Sequence, residues 1–418
     1  MIHRRASLRA QQFVLGFVLV IGLIVLLAPS RLHAADWLEF RGPHGRGASA
    51  ETGLRWDLGA PDSLAWKTSL PGRGLSSPIV VGDRVFLTAA TGPRQEQLHV
   101  LCFNAGDGTL RWERQFWATG RTMCQEKTCV AAPTPASDGE RLYAIFSSND
   151  LICLDLDGNL LWLRGLTRDY PNVSNSLGMA SSLVAADGVV VAQVENDSES
   201  CALGLDVRTG TNRWRLDRPR LANWTSPVLL PGDAPPRLVA LQSGKGVAAV
   251  ELKTGRVAWN YPDGASTIPS SAAAGDILFV PSFGLTAIET RSSGAQPRQL
   301  WRSGPLRPGT PSPVIAGSRV YVLNDAGVLS CGDTRDGKRL WQLRLKGPIS
   351  ATPVTAEDRM LVVSEKGLVQ VVDLAKEEAE VVAERDLGET VLGTPAIAHG
   401  AIYVRSDHTL WRFGSAKR

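Results

Sequence analysis

Short apolar runs separated by glycine-containing turns repeat along most of the chain. The stretch Ser76–Trp112 shows the pattern: a Ser-Pro pair, an apolar run, a Gly-Asp turn, two further apolar runs, and an Asp-Gly turn before a tryptophan. Each run has the length and the apolar content of a β-strand. The stretch therefore predicts a unit of short strands that the rest of the chain repeats.

Two features recur along these units. The closing tryptophan returns at intervals of 40–52 residues, at Trp66, Trp112, Trp162, Trp214, Trp259, Trp301 and Trp341. A hydroxyl residue stands before the first strand of all eight units, at Ser77, Thr134, Ser181, Ser226, Ser270, Ser312, Thr352 and Thr394. A repeat of this length with several strands predicts an all-β, eight-bladed β-propeller with four-stranded antiparallel blades.

The two ends of the repeat predict how the ring closes. The eighth unit stops after HTLWRF and lacks a fourth strand, whereas residues 63–70 (SLAWKTSL) look like a fourth strand with no unit before it. We expect this N-terminal strand to complete the last blade, because closure removes the open edge. The prediction is a propeller over residues 63–418, preceded by a leader segment over residues 36–62.

Residues 1–35 have a different pattern. Three arginines precede an apolar run from Phe13 to Ala28, Pro29 ends it, and small residues stand before Ala35. This order is typical of a secretory signal peptide, and a retained N-terminal membrane anchor is the alternative. The prediction is a secreted or periplasmic protein, or one held at the inner membrane by an uncleaved helix. Membrane contact is expected only through this segment.

Charge excludes one class of partner. The formal net charge is +4, and residues 1–35 contain four arginines and no acidic residue. The remaining chain is therefore neutral, and nothing in it predicts a nucleic-acid partner.

The turn before each closing tryptophan carries a resemblance. Gly108, Gly158, Gly210, Gly255 and Gly337 each stand four residues before a tryptophan, so we expect the seven tryptophans to be structural and to pack across to the next blade. The segments NAGDGTLRW, LDLDGNLLW, LDVRTGTNRW, VELKTGRVAW and GDTRDGKRLW resemble the pyrrolo-quinoline-quinone (PQQ) repeat family over residues 63–413.

The resemblance implies the propeller fold, but two classes of protein with different functions share this repeat. One is the eight-bladed quinoprotein dehydrogenase. The other is the non-catalytic propeller, such as the scaffold subunit of the outer-membrane barrel-assembly machine. The pattern from Trp37 to Gly47 also resembles a group of exported propellers of planctomycete-type bacteria.

Loop lengths predict where a ligand binds. Most units need 12 or 13 residues from the closing tryptophan to the first strand, but the second and third units need 23 and 20. The turns GPRQEQ and ENDSES are also long, and all four loops belong on one face. The candidate ligand-binding residues on this face are Arg73, Arg121, Lys127, Asn172, Asn175, Asn196, Asp197, Asn223 and Trp224.

The same loops contain candidates for a disulfide and for a metal site. Cys124 and Cys129 share one loop and are a candidate disulfide in an exported protein. Glu195, Asn196 and Asp197 offer oxygen donors for calcium, but their spacing matches no known calcium loop. We therefore predict no metal site.

Catalytic motifs are missing from the sequence. It contains no adjacent cysteine pair of the kind found in quinoprotein alcohol dehydrogenases, no Cys-x-x-Cys-His, no Gly-x-Ser-x-Gly and no Walker loop. We therefore predict an exported, non-catalytic module with no cofactor that binds a protein or a small ligand at the long-loop face. The alternative is a PQQ- and calcium-dependent dehydrogenase.

Overall fold

The computed structural model describes residues 36–173, 177–232, 235–290, 296–376 and 378–414. Residues 1–35, which carry the predicted signal peptide or anchor, lie outside these ranges. Within the described ranges, no helix is both long enough and apolar enough to cross a membrane.

The structure confirms the eight-bladed β-propeller. Eight antiparallel sheets follow one another along the chain, each with four strands of the repeat. The first, innermost strands are Ile79–Val81, Ala136–Ser137, Val184–Ala186, Val228–Leu229, Ala272–Ala274, Val314–Ala316, Val354–Ala356 and Ala396–Ala398. The second strands are Arg84–Thr91, Arg141–Ile145, Val189–Val194, Leu238–Ser243, Ile277–Pro281, Arg319–Leu323, Arg359–Val363 and Ala401–Arg405.

The third and fourth strands complete each blade outwards. The third strands are Gln97–Asn104, Asp150–Asp155, Cys201–Asp206, Gly246–Glu251, Leu285–Glu289, Val328–Asp333, Leu368–Asp373 and Thr409–Phe413. The fourth strands are Leu110–Trp117, Leu160–Gly165, Asn212–Asp217, Val257–Tyr261, Arg298–Ser303, Arg339–Arg344, Glu380–Asp386 and, for the eighth blade, Leu64–Ser69.

Burial explains why the strands differ in their sequence patterns. The second strand Val189–Val194 is buried at every position, because both of its faces pack on neighbouring blades. The outer strand Glu380–Asp386 alternates between exposed and half-buried positions, because one of its faces meets solvent. The core therefore lies between the blades rather than within any one of them.

The N-terminal strand closes the ring as predicted. Leu64–Ser69 pairs antiparallel with Thr409–Phe413, with Lys67 opposite Trp411. The last blade is therefore built from both ends of the propeller.

The tryptophans of the repeat lie in the fourth strands and contact the next blade. Trp66 Nε1 donates a hydrogen bond to the Ala105 carbonyl at 3.0 Å, and Trp214 Nε1 donates one to the Leu252 carbonyl at 2.8 Å. The indole lies directly on the turn glycine of that blade: a Cβ atom on Gly108, which has φ +75°, would stand 2.6 Å from the Trp66 ring. The turn thus needs glycine for space as well as for backbone conformation.

The remaining helical and extended segments are short. They comprise the 3₁₀ turns Pro43–Gly45 and Pro61–Ser63, the helical turn Leu166–Asp169, and the strand Ala48–Ser49, which pairs parallel with Val354–Ala356.

The leader segment crosses the face that carries the turns between first and second strands, here called the turn face. Its residues 36–51 bond to seven of the eight blades. The bonds join Trp37 to Val80, Leu38 to Ser137, Arg41 to Ser271, His44 to Leu229, Arg46 to Ile315, Gly47 to Thr355 and Glu51 to His399. Trp37 and Arg41 are almost completely buried. The leader therefore acts as a plug beneath the ring.

The carboxyl group of Glu39, within this plug, makes the stability of the protein depend on pH. The low-polarity surroundings of Glu39 raise its pKa to about 7, although the His44 amide and Arg41 oppose this. A carboxyl group whose folded-state pKa is raised contributes stability that is present below its unfolded pKa and lost as the pH rises through 7. We expect the melting temperature to fall between pH 5 and pH 8, and to fall less in Glu39→Gln. Glu140→Gln, at an exposed surface position, is the control and should keep the full fall in melting temperature. A fall in Glu39→Gln as large as that of the unchanged protein would contradict the prediction.

Candidate functional site

A ring of hydroxyl groups surrounds the propeller axis where the first strands begin. In seven of the eight blades, the backbone N–H of the ring residue donates to the hydroxyl oxygen of the ring residue in the next blade, at 2.9–3.1 Å. The ring, defined by these seven bonds, comprises Ser77, Thr134, Ser182, Ser226, Ser270, Ser312, Thr352 and Thr394. These seven blades thus use a side chain of the neighbouring blade to satisfy the backbone amide of their own ring residue.

One residue of this row was predicted wrongly. The third blade contributes Ser182, not Ser181, to the ring of hydrogen bonds. Ser182 stands two positions before the first strand at Val184, as Ser77 stands two positions before the first strand at Ile79. The third unit has two consecutive serines and no proline after either of them. The sequence alone therefore could not decide which serine aligns with the hydroxyl residues of the other units. The Ser181 hydroxyl is buried and makes no hydrogen bond within the described part of the chain.

An axial pocket of about 400 Å³ is lined by six members of this ring. All eight blades line it, and Phe40 of the leader lines it too. Its walls combine hydroxyl and apolar groups: Leu75, Gln125, Lys127, Thr128, Ala132, Thr134, Ala180, Ser182, Trp224, Ile268, Ser270, Thr310, Ser312, Ser350, Thr352, Leu392 and Thr394. The rim residues come from loops that lead into first strands, which defines the loop face of the propeller.

The long loop of the second blade reaches across the mouth of this pocket. Lys127 Nζ donates to both carboxylate oxygens of Glu365 in the seventh blade, at 3.0 and 3.1 Å. The Arg73 guanidinium donates to the Glu126 carbonyl at 2.5 Å and lies 3.4 Å from the Asp407 carboxylate. Two basic residues of the candidate set therefore hold this loop over the axis.

The other candidate residues divide between the pocket and its supports. Trp224 lines the pocket, and its Nε1 donates to the Gly178 carbonyl at 2.8 Å. Asn223 is buried and donates to Glu195 at 3.0 Å, while Glu195 also accepts a 2.6 Å hydrogen bond from Arg218. These groups form a buried network behind the pocket wall.

The remaining candidates lie away from the axis or outside the described residues. Asn196 donates from its side chain to the Glu199 carbonyl, and Asp197 accepts from the Ala222 amide at 3.1 Å. The Asn172 carbonyl accepts hydrogen bonds from the Ser198 hydroxyl and the Glu199 amide. Arg121 lines a separate surface cavity with Arg94. Asn175 lies outside the described residues.

The candidate disulfide is not formed. Cys124 and Cys129 are both free thiols. Cys129 is fully buried in the core between the first two blades, whereas the Cys124 sulfur lies 3.7 Å from the Ser147 hydroxyl in the loop above. Burial raises the pKa of Cys129 to about 12, which keeps it protonated and unreactive.

Sequence reasoning missed several pocket residues. Gln125, Thr128 and Ile268 lie in loops whose sequence carries no chemical motif, and Phe40 comes from a leader that was not expected at the axis. The signal that could have identified the ring was the row of hydroxyl residues before the first strands, which the sequence analysis used only to count the blades.

The lining does not fit a tricarboxylate quinone with calcium. Among the described residues that line the pocket, Lys127 is the one charged side chain, and Glu365 already neutralises it. Within the same ranges, no group of three or more His, Cys, Asp or Glu residues could hold a metal ion. The oxygens of Glu195 and Asp197 are engaged with Arg218 and the Ala222 amide.

Comparisons with known proteins agree with this architecture. A family model described as outer membrane protein assembly factor BamB matches residues 58–192, 172–284 and 284–382. A search of curated proteins gave no match.

Solved structures share the fold at low sequence identity. BamB from Moraxella catarrhalis is 15% identical, with a TM-score of 0.61 over 85% of this chain and 98% of its own. A europium-containing methanol dehydrogenase is 13% identical, with a TM-score of 0.70 over 91% and 98%. Quinohemoprotein alcohol dehydrogenase from Comamonas testosteroni is 14% identical, with a TM-score of 0.69 over 92% and 81%. At these identities the likeness establishes the fold alone.

Proposed function

The chain belongs to the family described as outer membrane protein assembly factor BamB, and on that premise we propose that it is a non-catalytic binding and scaffolding module of the cell envelope. Its partner is a polypeptide that docks on the loop face over the axial pocket. The family description and the N-terminal pattern of residues 1–35 support the location.

The observation that carries this proposal is the axial pocket and the apolar groups around it. Ile268 lines the mouth and is 50% exposed, and Phe283, in the turn between the second and third strands of the same blade, is 82% exposed. A pocket beside exposed apolar groups is the arrangement expected of a protein-docking face.

The chemistry of the lining supports binding rather than catalysis. The described lining residues include no Asp, Glu, His or Cys, so no general base stands beside the ring hydroxyls. Lys127 is held by Glu365 rather than turned towards the axis. These hydroxyls can therefore position a ligand by hydrogen bonding, but the lining gives them no activating partner.

Site-specific photo-cross-linking tests the proposal. The cross-linking amino acid p-benzoyl-phenylalanine is placed at Ile268 or Phe283 in the full chain, in the cells that produce it. Leu110, 51% exposed, and Val382, 45% exposed, lie on outer strands and are matched control positions. We expect an adduct of defined mass at the two loop-face positions and none at the controls. Adducts of equal yield at all four positions, or none at the loop face, would contradict the proposal.

A further inference from the structure

The axial pocket is closed at its far end. Phe40 lines its inner wall, and the leader that carries Phe40 bonds to seven blades across the turn face. Trp37 and Arg41, on either side of Phe40, are each 1% exposed. A polypeptide that enters from the loop face therefore cannot pass through the ring. Only a chain end or a single side chain can reach the hydroxyls.

The ring offers hydrogen-bond donors to whatever enters. Its pocket-lining members are Thr134, Ser182, Ser270, Ser312, Thr352 and Thr394. Each accepts a backbone N–H from the preceding blade. Within the described residues, none of the six donates its own hydroxyl hydrogen to a protein acceptor. A hydroxyl carries one donor, so six donors remain for a ligand or for water.

Two further hydroxyl groups near the axis have no hydrogen-bond partner among the described residues. Ser77 is 0% exposed, and its Oγ has no hydrogen-bond partner among the described residues. Buried hydroxyl groups rarely stay unpaired. Thr128, in the loop over the mouth, also has a buried hydroxyl oxygen without a partner in the same ranges. Thr128 lines the pocket, so its hydroxyl is a further donor that a ligand there can meet, whereas Ser77 is not among the lining residues.

The two ends of a polypeptide differ in what they bring to such a ring. An N-terminal ammonium group has only donors, so it would leave the six O–H donors of the ring unmatched and could use only the second lone pair of each ring oxygen. A C-terminal carboxylate has two oxygens with about four acceptor sites and no donor. We infer that the axial pocket receives the C-terminal end of the partner polypeptide, with its terminal carboxylate at the hydroxyl ring.

The walls above the ring define the class of terminal residues. Leu75, Trp224, Ile268 and Leu392 line the upper pocket, and Lys127 is the charged group among the described lining residues. Uncharged, small or apolar side chains fit these walls, because an acidic or basic side chain would lose its hydration without gaining a partner. This inference rests on the proposed function and specifies the part of the partner that is bound.

A matched pair of peptide pools tests the inference. The pools are acetylated pentapeptides, randomised at their last three positions over Ala, Val, Leu, Phe and Ser, and made as free acids and as C-terminal amides. Both are passed over the immobilised full chain, and bound peptides are quantified by mass spectrometry. We expect the free acids to be retained at least about tenfold more than the amides, since charged hydrogen bonds are stronger than neutral ones.

Substitutions in the ring test whether the free acids bind at its hydroxyl groups. Ser270→Ala with Ser312→Ala removes two ring donors and should reduce retention of the free acids to the level of the amides. Ser270→Thr with Ser312→Thr keeps both hydroxyls and should restore retention, while Ser318→Ala on an exposed turn should change nothing. Thermal melting confirms that each variant is folded. If the alanine pair does not fold, Ile268→Trp narrows the mouth without altering the ring and should also abolish retention.

Three outcomes are distinguishable. Preferential retention of free acids that depends on the ring supports the inference. Equal retention of acids and amides would overturn the carboxylate inference and leave the loop face as a peptide-binding site. Retention of neither pool would overturn the carboxylate inference, and the proposed function would then stand or fall on the cross-linking at Ile268 and Phe283.

Discussion

Trp66→Ala is expected to lower the free energy of unfolding by about 4 kcal/mol, the range seen for large aromatic deletions in cores. Trp66 lies in the strand that joins the start of the propeller to its last blade, and it is 9% exposed. The substitution removes the hydrogen bond to the Ala105 carbonyl and the contact with the Gly108 turn, both in the first blade. It also removes the Tyr403 ring contact, whose centroids are 6.1 Å apart. One change thus weakens both the closing strand and its junction with the first blade.

Trp117→Ala is the matched control for this substitution. Trp117 ends a fourth strand and is 66% exposed, so its loss should change stability by less than about 0.5 kcal/mol. Denaturant unfolding followed by far-ultraviolet circular dichroism measures both variants. Equal effects of the two substitutions would contradict the assignment of Trp66 as a blade-docking residue.

Arg405→Ala is expected to cost about 3 kcal/mol, because it breaks charge-assisted hydrogen bonds and leaves a cavity. Arg405 is 0% exposed at the junction of the eighth and first blades. Its guanidinium donates to the Thr88 carbonyl at 3.0 Å and to the Ser76 hydroxyl at 3.2 Å, both in the first blade. These bonds join the two blades where the ring hydroxyl of Ser77 has no partner within the described ranges.

Arg405→Met separates the packing of this side chain from its charge. Burial lowers the pKa of Arg405 to about 10, which shows that the fold holds the charge against the cost of desolvation. Methionine keeps most of the volume and removes that cost, so it should destabilise less than alanine does. Arg339→Ala on an exposed outer position is the control. A methionine variant as unstable as the alanine variant would show that the hydrogen bonds, rather than the packing, dominate.

The repeat made the fold predictable because its signals are local. The turn glycine and the tryptophan four residues later recur along the units, so the sequence alone predicts the number of blades and the closing strand. The register in the third blade is not predictable in this way, since Ser181 and Ser182 are chemically identical and only the start of the strand at Val184 distinguishes them.

The candidate site was predictable in its position but not in its composition. Loop lengths pointed to the face on which the axial pocket opens, and Lys127 and Trp224 line that pocket, while the binding role of this face stays a prediction. The Lys127–Glu365 ion pair joins residues 238 positions apart, and the leader pairs Gly47 with Thr355 in the seventh blade. Such contacts leave no local pattern, because they depend on how blades far apart in the chain meet around the axis.

Titration of the full chain with PQQ and Ca²⁺ separates a non-catalytic binding module from a quinone-dependent dehydrogenase. Quinone absorbance, thermal melting and dye-linked alcohol oxidation are followed in the same samples. We expect no saturable change in any of these three signals, since Lys127 is the charged group among the described lining residues and Glu365 neutralises it. A saturable one-to-one rise in melting temperature, accompanied by oxidation of an alcohol or a sugar, would contradict it.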